Sequence, residues 1–217
     1  MDARSPSYSP PRQERSRQSF DRYLDAAEAL IRANGFDELS VAEVARLAGF
    51  SVGGLYSRFP NKLALLGAVR ERFLTRMEAA VAAEFEAGRG GDASLAGAVH
   101  RIIRMLVRHF VSEPAMFRAF ILECADNPEF AKRCEVGDER RKQLFREAVL
   151  AHEHEIRASD PSAAVDWAYT VVNLLIRERV IFGQSAPLAG GYADEELAEN
   201  LEQITLAYLT HGGAVPS

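Results

Sequence analysis

Apolar residues recur at helical spacing along this chain from Phe20 onward. Phe20, Tyr23, Leu24, Ala27, Leu30 and Ile31 follow i, i+3, i+4, i+7, i+10 and i+11, a stripe that predicts a helix ending at Asn34-Gly35. After that the pattern shortens. Ser40 and Glu43 have capping-box spacing, in which the hydroxyl accepts the Glu43 N–H and the carboxylate reaches back to the Ser40 N–H. Val44, Ala45 and Ala48 share one face and Gly49 suits a left-handed helix end, so this helix is only about two turns long. Ser51 is a second N-cap candidate, followed by Val52, Leu55, Tyr56 and Phe59 at helical spacing before Pro60 forbids continuation. Isolated helices of two turns are marginal in water, so the stripe from Phe20 is what makes a three-helix module possible.

Downstream the periods lengthen. A helix from Asn61 carries Leu65, Leu66, Val69, Phe73, Met77, Val81 and Phe85 as far as Gly88-Arg89-Gly90-Gly91. Asp92 or Ser94 caps the next, with Leu95, Val99, Ile102, Ile103, Leu106 and Phe110 on its apolar face. Pro114 and Pro128 suit first helical turns, predicting helices over Pro114–Cys124 and from Pro128 to about Ile156, with Gly137 as a point of interruption. Asp160-Pro161 opens a helix to Phe182, Gly183 to Gly191 is a loop, and a last helix from about Ala193 to Thr210 places Leu197, Leu201, Ile204 and Tyr208 on one face. No strand alternation appears. The expected fold class is all-α: a disordered N-terminal arm over 1–18, a three-helix module with a helix-turn-helix over 19–66, and a larger helical bundle over 67–217.

The helix after Pro161 bears two apolar stripes, one of Val165, Ala168, Val172, Leu175 and Ile176, the other of Trp167, Val171 and Leu174. Such a helix is buried on two sides. It is either the centre of a monomeric bundle or packed between its own bundle and a twofold partner, and paired half-sites in helix-turn-helix recognition favour the partner.

Two short helices joined by Ala48-Gly49-Phe50-Ser51 are the arrangement in which the second helix enters the DNA major groove. With Gly53, Tyr56, Phe59 and Lys62, this stretch resembles the TetR family of transcriptional regulators, whose pattern runs A-G-x-S, x-G-x-x-Y-x-x-F, then a Lys opening the next helix. The resemblance covers residues 19 to 66 or so. Gly54, Ser57 and Leu63 depart from the residues common there, and the remaining two thirds match only in being helical. The resemblance implies a homodimer, formed through the last two long helices, that binds double-stranded operator DNA.

Net charge of −5 argues weakly against nucleic acid, but its distribution matters more. Residues 1 to 66 carry 9 Lys+Arg against 8 Asp+Glu, and the rest 17 against 23, so the acidity lies in the C-terminal part. DNA affinity then rests on local placement: Arg58, Lys62, helix N-termini, and the arm with Arg12, Arg15 and Arg17, which reaches a minor groove or phosphates or else is a solvated tail. Ser40, Ser51, Tyr56 and Lys62 are expected at the phosphates, Val52 and Ser57 at base edges, and Gly53 and Gly54 where backbone approaches DNA closely.

No apolar run approaches a membrane span and no signal-peptide core opens the chain, so a cytoplasmic location without membrane contact is expected. Cys124 and Cys134 read as small buried hydrophobes. His152 and His154, and likewise His100 and His109, fall on opposite helix sides, and no phosphate-binding loop follows a strand, so no catalytic residue, metal or cofactor is assigned. Arg101, Arg104 and Arg108 form a stripe that is either a solvated face paired to acids or an anion site. Met105, His109, Met116, Phe117, Phe120, Phe145 and Trp167 are candidates to line an effector pocket, although such residues at helical spacing are usually core. The reading is a DNA-binding transcriptional regulator, a repressor released from a palindromic operator by a small-molecule effector. The opposing classes are a helical enzyme or metal-binding bundle, and a constitutive DNA-binding module without effector.

Overall fold

A computed structural model describes residues 14–36, 38–186 and 191–211. Among them the chain is helical, with no strand: α1 Glu14–Asn34, α2 Val41–Ala48, α3 Val52–Tyr56, α4 Lys62–Ala87, α5 Leu95–Ser112, α6 Pro114–Asp126, α7 Pro128–Leu150, α8 Pro161–Phe182 and α9 Asp194–Thr210. Two compact units divide at Arg76 and Met77, within α4.

The first unit is built on α1. Tyr23, Leu24, Ala27 and Ile31 are buried, and Leu30 partly so. Each large apolar side chain removed from water contributes about 1.5–3 kcal/mol, which is how five- and eight-residue helices persist beside it. Phe20 stacks on Phe59 with centroids 5.2 Å apart, and Tyr23 meets the same ring edge-on. Leu55, Leu65, Val69 and Phe73 complete this core, all fully buried. Gly35, at φ 81°, ends α1 as expected. At its start α1 departs from expectation: residues 14–18 are helical where a disordered arm was expected, because helix-forming Glu14, Arg15 and Gln18 extend the helix without any apolar period. Residues 1–13 of that arm lie outside the described residues.

A buried acid that the sequence pattern conceals sits within the α1 stripe. Glu28, with its side chain 3% exposed, receives Arg72 at 2.7 Å and Arg76 at 3.2 Å from α4, and Arg32 at 2.8 Å from its own helix. Burial pushes its carboxyl pKa up, but the two α4 guanidinium groups outweigh burial and hold it below the usual range.

The second unit packs α5 to α9. α5 is its most amphipathic helix, burying Leu95, Ala98, Val99, Ile102, Ile103, Met105, Leu106, Val107 and Phe110. Local capping sets the helix starts: Ser94 Oγ accepts Gly97 N–H at 3.2 Å, Asn127 Oδ1 accepts Phe130 N–H at 3.1 Å, and Asp160 Oδ1 accepts Ala163 N–H at 3.0 Å. α7 runs unbroken through Gly137, whose missing side chain makes room for Glu78 Oε1, 2.9 Å from where a Cβ would lie. It ends at Leu150 and a 3-10 turn covers Glu153–Glu155, so the expected extension to Ile156 is too long.

On α8 the stripe Val165, Ala168, Val172 and Ile176 is buried, whereas Trp167 is 57% exposed and Leu174 62%. One chain therefore covers only the first stripe. On α9 the buried face is Leu197, Ala198, Leu201, Thr205 and Leu209. Ile204, expected on that face, is 55% exposed, because the helix packs along positions four apart from 197 and leaves 204 at the margin.

Candidate nucleic-acid interface

Ser40 precedes α2 in extended conformation, and its backbone carbonyl accepts the Val44 N–H at 3.0 Å, but its side chain makes no cap bond. The expected capping box with Glu43 is therefore absent. At the other end Gly49, φ 77°, ends the helix in the left-handed region, with the Phe50 N–H reaching the Ala45 carbonyl at 3.0 Å. Arg22 approaches within 2.9 Å of the position a Gly49 Cβ would take and stacks 4.9 Å over the Phe50 ring, so any side chain there meets both strain and a guanidinium.

Ser51 caps α3: its Oγ accepts the Gly54 N–H at 3.1 Å and its carbonyl accepts the Leu55 N–H at 3.1 Å. Leu55 and Phe59 point into the core and are fully buried. These two anchors rotate the rest of the short helix outward. Val52, Gly53, Tyr56 and Ser57 are all exposed, together with Ser51. Ser57 Oγ donates to the Gly54 carbonyl at 2.7 Å, which holds the last turn closed. Asn61 then caps α4, its Oδ1 accepting the Ala64 N–H at 2.8 Å, with Lys62, half-buried, as the first helical residue.

The two glycines of α3 differ. A Cβ on Gly53 would meet only Ser51 Oγ at 4.0 Å, whereas one on Gly54 would lie 2.9 Å from Tyr23 Oη. That phenol is buried and donates to the Ser51 carbonyl at 3.4 Å, so Gly54 is small because α1 packs beneath it. Gly54 thus has a packing reason to be small that Gly53 lacks. In the sequence Tyr23 is only one position of an apolar stripe; its second role as a strut under α3 has no local signal, since its partner is 28 residues away.

In the second unit Met105, Met116, Phe117, Phe120 and Phe145 are buried, and His109 is 9% exposed. His109 lies between Phe110 and Phe117, centroids 5.6 and 5.2 Å away, and its Nε2 has no hydrogen-bond partner. Burial, with Arg141 nearby, lowers its pKa to about 4. Trp167 does not join this group, being exposed on the outer side of α8. Clefts of about 150 and 300 Å³ lie elsewhere, the first beside Arg104 and Asp194, the second between Phe85, Arg101 and His152. The arginine stripe is a paired face: Arg101 meets Asp92 at 2.7 Å, Arg104 meets Glu202 at 3.0 Å, and Arg108 pairs with Glu84.

Residues 24–69 match the profile of bacterial regulatory proteins of the tetR family. The chain is 29% identical over 184 residues to the HTH-type transcriptional regulator EthR of Mycolicibacterium smegmatis, covering 84% of this chain and 82% of that one. It is 31% identical over 108 residues to the HTH-type transcriptional repressor KstR of Mycobacterium tuberculosis, covering 50% and 49%. A solved structure from Mesorhizobium loti, described as a TetR-family transcriptional regulator, superposes with a TM-score of 0.72 at 18% identity over 91% of this chain and 98% of that one, a likeness of fold.

Proposed function

We propose that the chain is a regulator of the TetR family, as its match over residues 24–69 and its likeness to EthR support, and that it represses transcription as a homodimer, binding a palindromic operator through α3 and leaving it when a small effector binds the C-terminal unit. The observation that carries this reading is the face of α3. A capped helix whose apolar side is pinned by Leu55 and Phe59 offers Val52, Gly53, Tyr56 and Ser57 to a groove. In this reading Val52 and Ser57 meet base edges, and Gly53 lets the backbone approach. Tyr56, Lys62 and the hydroxyls of Ser40 and Ser51 meet phosphates, fixing register without reading sequence. Gly54 serves the packing of α3 on α1.

Trp167 and Leu174 of α8, with Phe182 at its end and Ile204 of α9, are large apolar side chains that one chain leaves in water. A twofold partner presenting the same surface would cover them, and the two α3 helices would then address half-sites about 34–36 Å apart or a multiple. The effector's place is among Met105, His109, Met116, Phe117, Phe120 and Phe145, where His109 Nε2 is a polar atom awaiting a partner. An effector that prefers one arrangement of the helices over another shifts operator affinity by its coupling energy, typically 1–3 kcal/mol or about 5- to 150-fold, and operator DNA weakens effector binding by the same factor.

The test is selection of random duplex DNA by the purified full chain. An enriched inverted repeat is the expected outcome. Recovery of sequences with no shared motif would remove operator recognition from this account.

A further inference from the structure

We propose that Cys124 and Cys134 form a two-electron redox site, which a hydroperoxide oxidises to an intrachain disulfide. Neither thiol is the fully buried hydrophobe that the sequence suggests: both are partly exposed, and their Sγ atoms lie 3.2 Å apart, within hydrogen-bond distance of each other. Cys124 occupies the last turn of α6 and Cys134 the second turn of α7. Asn127 alone joins the two helices, and its caps on α7, together with Phe120 against Phe130 at 5.5 Å, hold the corner that brings the sulfurs together. A disulfide needs roughly 1 Å of further approach, which the end of a helix can supply more readily than its middle.

The chemistry balances without any further component. The Cys124 thiolate attacks one oxygen of the peroxide, the O–O bond breaks, and the departing hydroxide takes a proton to leave as water. For hydrogen peroxide the product is a sulfenic acid and one water. The Cys134 thiol gives its proton to solvent, its sulfur displaces hydroxide from the Cys124 S–OH, and the S–S bond forms with release of a second water. Two sulfurs have lost two electrons and the peroxide has gained them.

The order of attack follows from the surroundings. The hydrogen bond with Cys124, then burial, then the Cys124 charge push the Cys134 thiol up, which makes Cys124 the attacking sulfur in this proposal. Once Cys124 is a neutral sulfenic acid that charge is gone, and the guanidinium groups of Arg141 and Arg177 near Cys134 favour its thiolate for the second step.

The experiment treats the reduced full chain with a small excess of hydrogen peroxide, blocks remaining thiols with a maleimide and weighs the product. The expected result is loss of the mass of two hydrogens, no maleimide adduct, and full reversal by dithiothreitol. Trypsin should release residues 119–132 linked to residues 134–140, separate peptides because Lys132 and Arg133 are both cleavage points. Cys134→Ser should instead stop at a sulfenic acid on residue 124, captured by dimedone. Full maleimide labelling of both thiols after peroxide, oxidation to sulfinic acid without linkage, or linkage only between two chains would each overturn the proposal. The wild-type arm alone decides it, should the variant fold poorly.

Discussion

Gly53 and Gly54 are neighbours in α3 under different constraints, and substitution separates them. Gly53→Ala places a methyl in open space and gains helix propensity, so unfolding should become harder by about 0.5–1 kcal/mol while operator affinity falls. Gly54→Ala must displace the Tyr23 hydroxyl from the Ser51 carbonyl and should lower the melting temperature. Adding Tyr23→Phe removes the obstructing oxygen, so the double variant should recover part of that loss in a thermal melt. Additive losses would mean that Tyr23 is not the obstacle. Lys62→Ala tests position rather than packing: it should weaken binding to every duplex alike and reduce the slope of log K against log salt by about one. A changed base preference with an unchanged slope would contradict a phosphate contact. His109 gives a pH signature. Its folded pKa of about 4 lies below the unfolded value near 6.5, so the unfolded chain binds more protons between them and stability falls as pH falls through that window, by up to about 1.4 kcal/mol per unit. Denaturant midpoints from pH 7 to 4 should show that slope, and His109→Phe should flatten it.

At the scale of helices, what was legible in the sequence is what local chemistry decides. The Gly49 end of α2, the Ser51 start of α3, the Asp160-Pro161 start of α8 and the α1 stripe each follow from residues within a turn or two of one another. Distant partners carried no such signal. Glu28 reads as a polar lapse in an apolar stripe until Arg72 and Arg76 fold against it, and Gly54 reads as backbone permissiveness until Tyr23 lies beneath it. Ser40 misled in the opposite sense: the capping-box spacing is present and the side-chain bond is not. Least legible was whether the buried Met and Phe line a pocket at all, since at helical spacing they look the same in a pocket and in a core. For α8 the two-stripe pattern was informative, and Leu174 is where it can be tested. Leu174→Glu should leave helix content unchanged, because the residue is exposed within one chain, yet raise the dimer dissociation constant at least tenfold, as read by analytical ultracentrifugation. An unaltered self-association would place the dimer surface elsewhere.

For the whole molecule, the two units share one continuous helix, α4, which begins with Lys62 in the first and ends at Ala87 in the second. No described helix is long and apolar enough to cross a membrane. With nearly balanced charge in residues 1 to 66, the proposed function makes tight binding depend on locally placed cations and on two α3 faces engaging two half-sites at once. The most direct measurement is the affinity and stoichiometry of the full chain on a selected inverted repeat, beside the same duplex with one half-site scrambled, at one fixed salt concentration. The account predicts two chains, or a multiple of two, per intact site, and binding to it at least about a thousandfold tighter than to random duplex, most of which is lost when either half is scrambled. Equal affinity for the intact and half-scrambled duplexes, or a single chain per site, would contradict it.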